Sequence, residues 1–181
     1  MLTDRELTLQ MRLMDRIRFF NRRYFNPFSL SFAGRPYSFW SVVLHVGRKT
    51  GKSYVTPIVA VHKDSSILIP LPYGRQVDWF KNVMGAGSCG LIYQGKVYRA
   101  SKLEMISLDE GAGAFAGWVQ SRLRRANTGY LLRLNQLDPA ENGEALYQSF
   151  TRTYPLARGL WVITAVGLVI LGIARMISRR K

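Results

Sequence analysis

The sequence predicts an α+β fold built on a mostly antiparallel sheet, flanked by helices and followed by a transmembrane helix. Three observations predict it. Short runs of β-branched and apolar residues in the middle of the chain are separated by compact turn signals, the pattern of hairpins. Helical periodicity brackets that region. Residues 156–177 form an apolar run with charge only near its ends. At 181 residues the chain suits one domain with appendages, and it divides at 1–25, 26–135, 136–155 and 156–177, with a basic tail to 181.

Residues 1–25 predict a basic amphipathic helix. Leu9, Leu13, Met14, Ile17, Phe20 and Tyr24 fall on one side, and Arg5, Arg12, Asp15, Arg16 and Arg23 on the other. Charges mixed with apolar positions make it a retained helix and not a cleaved leader. It would cap the core or lie on an anionic membrane surface. Asn26-Pro27 and Gly34-Arg35-Pro36 then break the chain.

Strands are expected over Ser41–Val46 and Tyr54–Val61. Lys63 to Ser66 marks a hairpin turn into Ile67–Leu71, and Gln94-Gly95 marks another between Leu91–Tyr93 and Val97–Arg99. Between the hairpins, Pro72-Tyr73-Gly74 leads into a short helix whose start lies within Gln76–Asp78. Residues 109–127 predict a helix, Leu131–Leu137 a closing strand, and Asp138-Pro139 the start of a linker helix running to about Thr153.

The run from Leu156 to Ile177 is apolar on every face between Arg158 and Arg175. At ~1.5 Å per residue it extends about 33 Å, enough to cross a hydrocarbon core of about 30 Å if both arginines snorkel. Trp161 suits the interface, and Arg179, Arg180 and Lys181 form a basic stop. The expected location is the cell membrane, with the folded domain on the cytoplasmic side.

A net charge of +15 implies an acidic partner: anionic lipid, nucleic acid or a polyanionic small molecule. No helix-turn-helix, zinc or RNA-recognition signature accompanies the arginines, so nucleic acid is not expected. Cys89 is the sole cysteine, which rules out an intrachain disulfide. His45 and His62 are the only histidines, too few for the usual metal site, and both read as ordinary strand or turn residues.

Residues 45–57, His-Val-Gly-Arg-Lys-Thr-Gly-Lys-Ser-Tyr-Val-Thr-Pro, carry the clearest functional signal. Gly47 and Gly51 let amides approach a ligand, Arg48, Lys49 and Lys52 supply charged donors, and Thr50 supplies a hydroxyl. The expected guest is a phosphate or carboxylate. Gly51-Lys52-Ser53 is not the end of a nucleotide-binding P-loop. Val46 stands where its first glycine belongs, and a strand pattern interrupted by Pro57 follows where a helix is needed.

The order Asn21, Asn26-Pro27, Ala33-Gly34-Arg35, then Gly47-Arg48-Lys49-Thr50-Gly51-Lys52 with Thr56-Pro57, then Asp78-Trp79 and Asn82-Val83 resembles the deazaflavin-dependent nitroreductase or quinone reductase family. Members of that family bind coenzyme F420 on a split β-barrel of the FMN-binding type. The resemblance spans residues 20–135, and the glycine-basic loop followed by Thr-Pro is its most specific part. It implies that Gly47–Lys52, with Thr56 and Pro57, binds the coenzyme's phosphate and acidic tail. It also implies that Pro72, Tyr73, Gly74, Trp79 and Asn82 line the deazaflavin ring. Val55 departs from a frequent arginine, and Leu71-Pro72-Tyr73-Gly74 departs from a serine-and-paired-glycine loop.

The activity so implied is hydride transfer from reduced deazaflavin to a quinone or nitro-type acceptor, with the protein supplying orientation and water exclusion. Tyr73 and Tyr98 are the candidate proton or hydrogen-bond donors, set against the commoner packing role of buried tyrosine. A membrane anchor favours a lipophilic acceptor such as a quinone. The alternative is a non-catalytic module of the same fold holding FMN, haem or anionic lipid.

Overall fold

In the computed structural model, which describes residues 26–156, seven antiparallel strands form one sheet in the order β2-β1-β5-β6-β7-β4-β3. The strands are β1 (Trp40–Val46), β2 (Ser53–Val59), β3 (Val61–Lys63), β4 (Ser66–Pro70), β5 (Ser88–Tyr93), β6 (Lys96–Ser107) and β7 (Tyr130–Pro139). β2 and β3 are the two edges of the sheet, yet only Ala60 separates them in sequence. The chain itself therefore brings the edges together, and the sheet curls into the half-open shape of a split barrel.

Strand alternation sorts the core into an interior and two outer faces. Val43, Ile58, Ile67, Ile69, Leu91, Leu132 and Leu134 fill the interior, where Phe80 and Val83 of helix α2 (Asp78–Ala86) join them. Their neighbours Val42 and Ile92 point outward and are covered by Leu30 of α1 (Asn26–Phe32) and Phe150 of α5 (Gly143–Thr153). Leu68, Ile106 and Leu131 form the other outer face. It is covered by Leu108 of α3 (Leu108–Gly111), by Phe115, and by Val119 and Leu123 of α4 (Gly117–Arg125).

The proposed hairpins form as two-residue turns. Tyr93 pairs with Lys96, so Gln94 (φ 46°) and Gly95 (φ 82°) both take the positive φ of a type I′ turn. Lys63 pairs with Ser66 around Asp64, at φ 54°.

Two helices differ from expectation. The helix expected over 109–127 is broken into α3, a 3-10 turn (Ala112–Ala114) and α4. Ser107 caps α3 by accepting from the Glu110 amide, and Gly111 packs so closely on Leu131 that a side chain there would force the leucine to shift. Residues 136–139 remain strand because β6 is long enough to pair through Tyr98↔Pro139, and the helix starts only at Gly143. α5 packs its Phe150 onto the barrel and is not a free linker.

The expected N-terminal helix over 1–25 and the expected membrane span over 156–177 lie outside the described residues, apart from Leu156. Among the described residues, no helix is long and apolar enough to cross a membrane.

Candidate functional site

The Gly47–Lys52 loop closes the β1–β2 hairpin, and Val46 pairs with Ser53 at its base. Its backbone is folded on itself. The amide of Gly47 donates to the Lys52 carbonyl at 2.8 Å, and the amides of Thr50 and Gly51 donate to the Gly47 carbonyl at 3.2 and 2.8 Å. The Lys52 amide reaches Thr50 Oγ1 at 3.4 Å. Amides expected to face an anion are thus engaged within the loop. A side chain at Gly47 would strike Thr50 Oγ1 and the Tyr54 ring, so this glycine serves close packing.

The free charge lies on the side chains. Lys49 and Lys52 are exposed and take no part in an ion pair among the described residues. Arg48 instead turns back onto α2. It meets Asp78 Oδ1 at 3.1 Å and the Asp78 carbonyl at 3.4 Å, and donates through Nη1 to Asn82 Oδ1 at 2.8 Å. The Arg48 backbone amide donates to that same Asn82 oxygen at 3.2 Å.

Asn82 is 6% exposed and is the centre of the cluster. Because its Oδ1 accepts twice from Arg48, its Nδ2 faces inward and donates to His45 Nδ1 at 3.1 Å. That makes Nδ1 an acceptor and places the imidazole proton on Nε2, which donates to Thr56 Oγ1 at 3.1 Å. His45 is therefore neutral. Burial lowers its pKa below the ordinary value, and the Asp78 carboxylate opposes that effect more weakly. Tyr54 stacks on His45 at 5.6 Å between centroids and exchanges a hydrogen bond with Thr50 at 3.1 Å, tying the cluster back into the loop.

His45 and Val46 also form one wall of a groove of 310 Å³, mostly apolar, whose other walls include Ala86, Cys89, Tyr98, Arg99 and Leu146. Tyr98 is half-buried on β6, opposite Leu91. Burial pushes the Cys89 thiol up to about 12, so it stays protonated and unreactive.

Of the residues singled out from sequence, Arg48, Thr56 and Asn82 thus meet in one hydrogen-bonded cluster through His45, and Thr50 is tied to it by Tyr54, which stacks on His45. Pro57 lies on edge strand β2 opposite Val42, where a missing N–H is tolerated. Trp79 is half-buried against the barrel interior and meets Phe80 edge-on at 6.1 Å. Pro72, Tyr73 and Gly74 occupy a turn beyond β4. The Leu71 amide donates to the Tyr130 carbonyl at 3.1 Å, the Gly74 amide closes on the Leu71 carbonyl at 2.9 Å, and Tyr73 is 43% exposed. Tyr73 is not among the groove's lining residues; Tyr98 is.

Sequence reasoning missed His45, Tyr54 and the partnership of Arg48 with Asp78. The available signal was strand alternation. His45 faces Tyr54 across the ladder with Thr56 two positions on, and three such residues on one apolar hairpin mark a polar cluster.

No protein-family model matches the chain, and no curated protein sequence matches it. Solved structures with a similar chain path include General Stress Protein 26 from Bacillus anthracis, at 12% identity and TM-score 0.42 over 55% of this chain and 79% of that one. An F420-H2 dependent reductase matches at 12% identity and TM-score 0.38, over 53% of this chain and 93% of that one. An F420 reductase matches at 9% identity and TM-score 0.38, over 61% and 91% respectively. At these values no residue role passes from those proteins to this chain.

Proposed function

We propose that this protein is a membrane-associated oxidoreductase that binds a deazaflavin, coenzyme F420, and passes a hydride from its reduced form to a quinone or nitro-type acceptor. The observation that carries the reading is the pairing of two exposed lysines, Lys49 and Lys52, which form no ion pair among the described residues, with a rigid cluster at the base of their loop and an apolar groove that starts at His45 and Val46. The donor set fits a group with an anionic tail and a flat apolar ring. Three cations face one carboxylate around the loop, so it keeps a net attraction for phosphate or carboxylate.

Bound there, the deazaflavin supplies the hydride. The protein's part is to bind and orient. Lys49 and Lys52 hold the anionic tail at the rim. Asn82 fixes Arg48 at the base of the loop, and His45, held neutral, keeps that end of the groove from gaining a buried charge. Tyr98 lies in the groove and can donate its phenolic proton in a hydrogen bond to an acceptor oxygen. The mostly apolar walls would cover part of a bound ring and so limit its contact with water.

Titration of the purified chain with oxidised and reduced deazaflavin, FMN and haem tests the proposal. Deazaflavin should bind most tightly, quench tryptophan emission through Trp79, and lose its hydride to added quinone. Preferential binding of FMN or haem without quinone reduction would replace the enzyme with a binding module of the same fold.

A further inference from the structure

The chain between α1 and β1 makes a tight turn in which the Ser38 amide donates to the Arg35 carbonyl at 3.1 Å. Pro36 occupies the second position and Tyr37 the third, with φ at 61°. That third position in a type II turn normally takes glycine, and a bulky aromatic there is an outlier that the surrounding structure must hold in place. Tyr37 gains no packing in return, since it is 100% exposed, and Phe39 beside it is 51% exposed. An apolar surface held out into solvent at the tip of a braced turn marks an interaction site.

The bracing shows where this turn points. Arg35 Nε donates to the Ser31 carbonyl of α1 at 2.7 Å, and Arg35 Nη2 donates to the Tyr154 carbonyl at 2.8 Å. The same arginine therefore joins the turn to the place where the chain leaves α5, just before Leu156, which is 50% exposed. From Leu156 to Ile177 the sequence is apolar between its terminal arginines. On the other side, Gly95 packs on Pro36 and its amide donates to the Gly34 carbonyl at 2.7 Å, bringing the β5–β6 hairpin to the same end. Residues 28–40, 92–97 and 150–156 contain no acidic side chain, whereas Lys96 and Arg152 are exposed cations among them.

We propose that the Arg35–Phe39 turn is a membrane-docking element, in which Tyr37 and Phe39 enter the interfacial layer of the bilayer beside the exit of the chain toward Leu156–Ile177. Tyrosine suits that layer because its ring is apolar and its hydroxyl stays wet. Lys96 and Arg152 meet the headgroups from segments that themselves carry no carboxylate. Docking there fixes the height of the domain above the bilayer and holds its groove within reach of a lipophilic acceptor. The inference rests on the reading that Leu156–Ile177 spans the membrane, not on the identity of the cofactor.

The buried Cys89 allows a direct test. In a full-length Cys89→Ala chain, Tyr37→Cys carries an environment-sensitive fluorophore, and Ser121→Cys, exposed on α4 over the opposite outer face, serves as the comparison. The chains are reconstituted into vesicles of mixed phosphatidylcholine and phosphatidylglycerol. The label at 37 should shift to the blue, brighten severalfold and be quenched by lipids carrying a nitroxide near the headgroup, while the label at 121 should do none of these. Failure of the chain to float with the vesicles overturns both the span and the docking. Flotation with a water-exposed label at 37 overturns the docking alone. A blue shift that needs no vesicles and grows with protein concentration assigns the turn to a contact between two copies and overturns the membrane proposal.

Discussion

The Gly47–Lys52 loop and the Leu71–Gly74 turn were expected to hold the two ends of one cofactor, and they are built in opposite ways. The loop sits on a cluster of side chains locked together through the buried Asn82, with Arg48, His45, Thr56 and Asp78 in one chain of hydrogen bonds. The turn is held by backbone bonds from Leu71 and Gly74 and by Arg75 over the Tyr130 ring at 5.1 Å, with Pro72 and Tyr73 exposed on it. If the loop is the anion seat proposed above, interlocked side chains preorganise it, whereas the turn is ordered through its backbone.

The largest effect should come from Asn82→Leu. It leaves His45 Nδ1 and the Arg48 amide without their partner in a buried setting, so the chain should lose about 2–3 kcal/mol of stability. Urea unfolding measures this loss. A change below about 0.5 kcal/mol would mean that the cluster does not hold the loop.

A second effect separates the regions by pH. Burial depresses the His45 pKa below its unfolded value near 6.5, so the unfolded chain binds the extra proton first as pH falls. The stability tied to neutral His45 is fully present above about pH 6.5. It should decline as pH falls from there toward the lowered folded value, and level off below it. The urea midpoint of the natural chain should follow that course, and His45→Gln should remove the decline. An unaltered slope in the variant would place the titrating group elsewhere.

The smallest effect on folding should come from the turn. Tyr73→Ala should cost less stability than Asn82→Leu, because Tyr73 is 43% exposed whereas Asn82 is 6% exposed. It should still lower turnover with quinone if the ring packs there. Unchanged turnover would leave Tyr98 as the tyrosine at the reacting end, and Tyr98→Phe should then slow the reaction with cofactor affinity retained.

The contrast also separates what the sequence reveals from what it hides. Strands and hairpins were legible because β-branched runs such as Ser41–Val46 and turn pairs such as Gln94-Gly95 act over a few neighbouring residues. The helix expected over 109–127 was misread because a buried glycine, Gly111, fits against Leu131 from a distant strand. Asp138-Pro139 was misread because the long β6 offers a pairing partner that outweighs local propensity. In the site, the cations of the loop were plain. Their fates were not, since Arg48 meets Asp78 and Asn82 thirty and more positions away. No local pattern tells a pinned arginine from two lysines that form no ion pair among the described residues.

The most direct test of the account is a titration of the Lys49→Glu/Lys52→Glu chain with deazaflavin at low and moderate salt. Two charge-assisted contacts of about 1.5 kcal/mol or more each are lost, so affinity should fall at least tenfold and its salt dependence should flatten. The urea midpoint should stay where it was, because neither lysine belongs to the cluster beneath. Unchanged affinity in this folded variant would contradict the assignment of the loop as the anion seat.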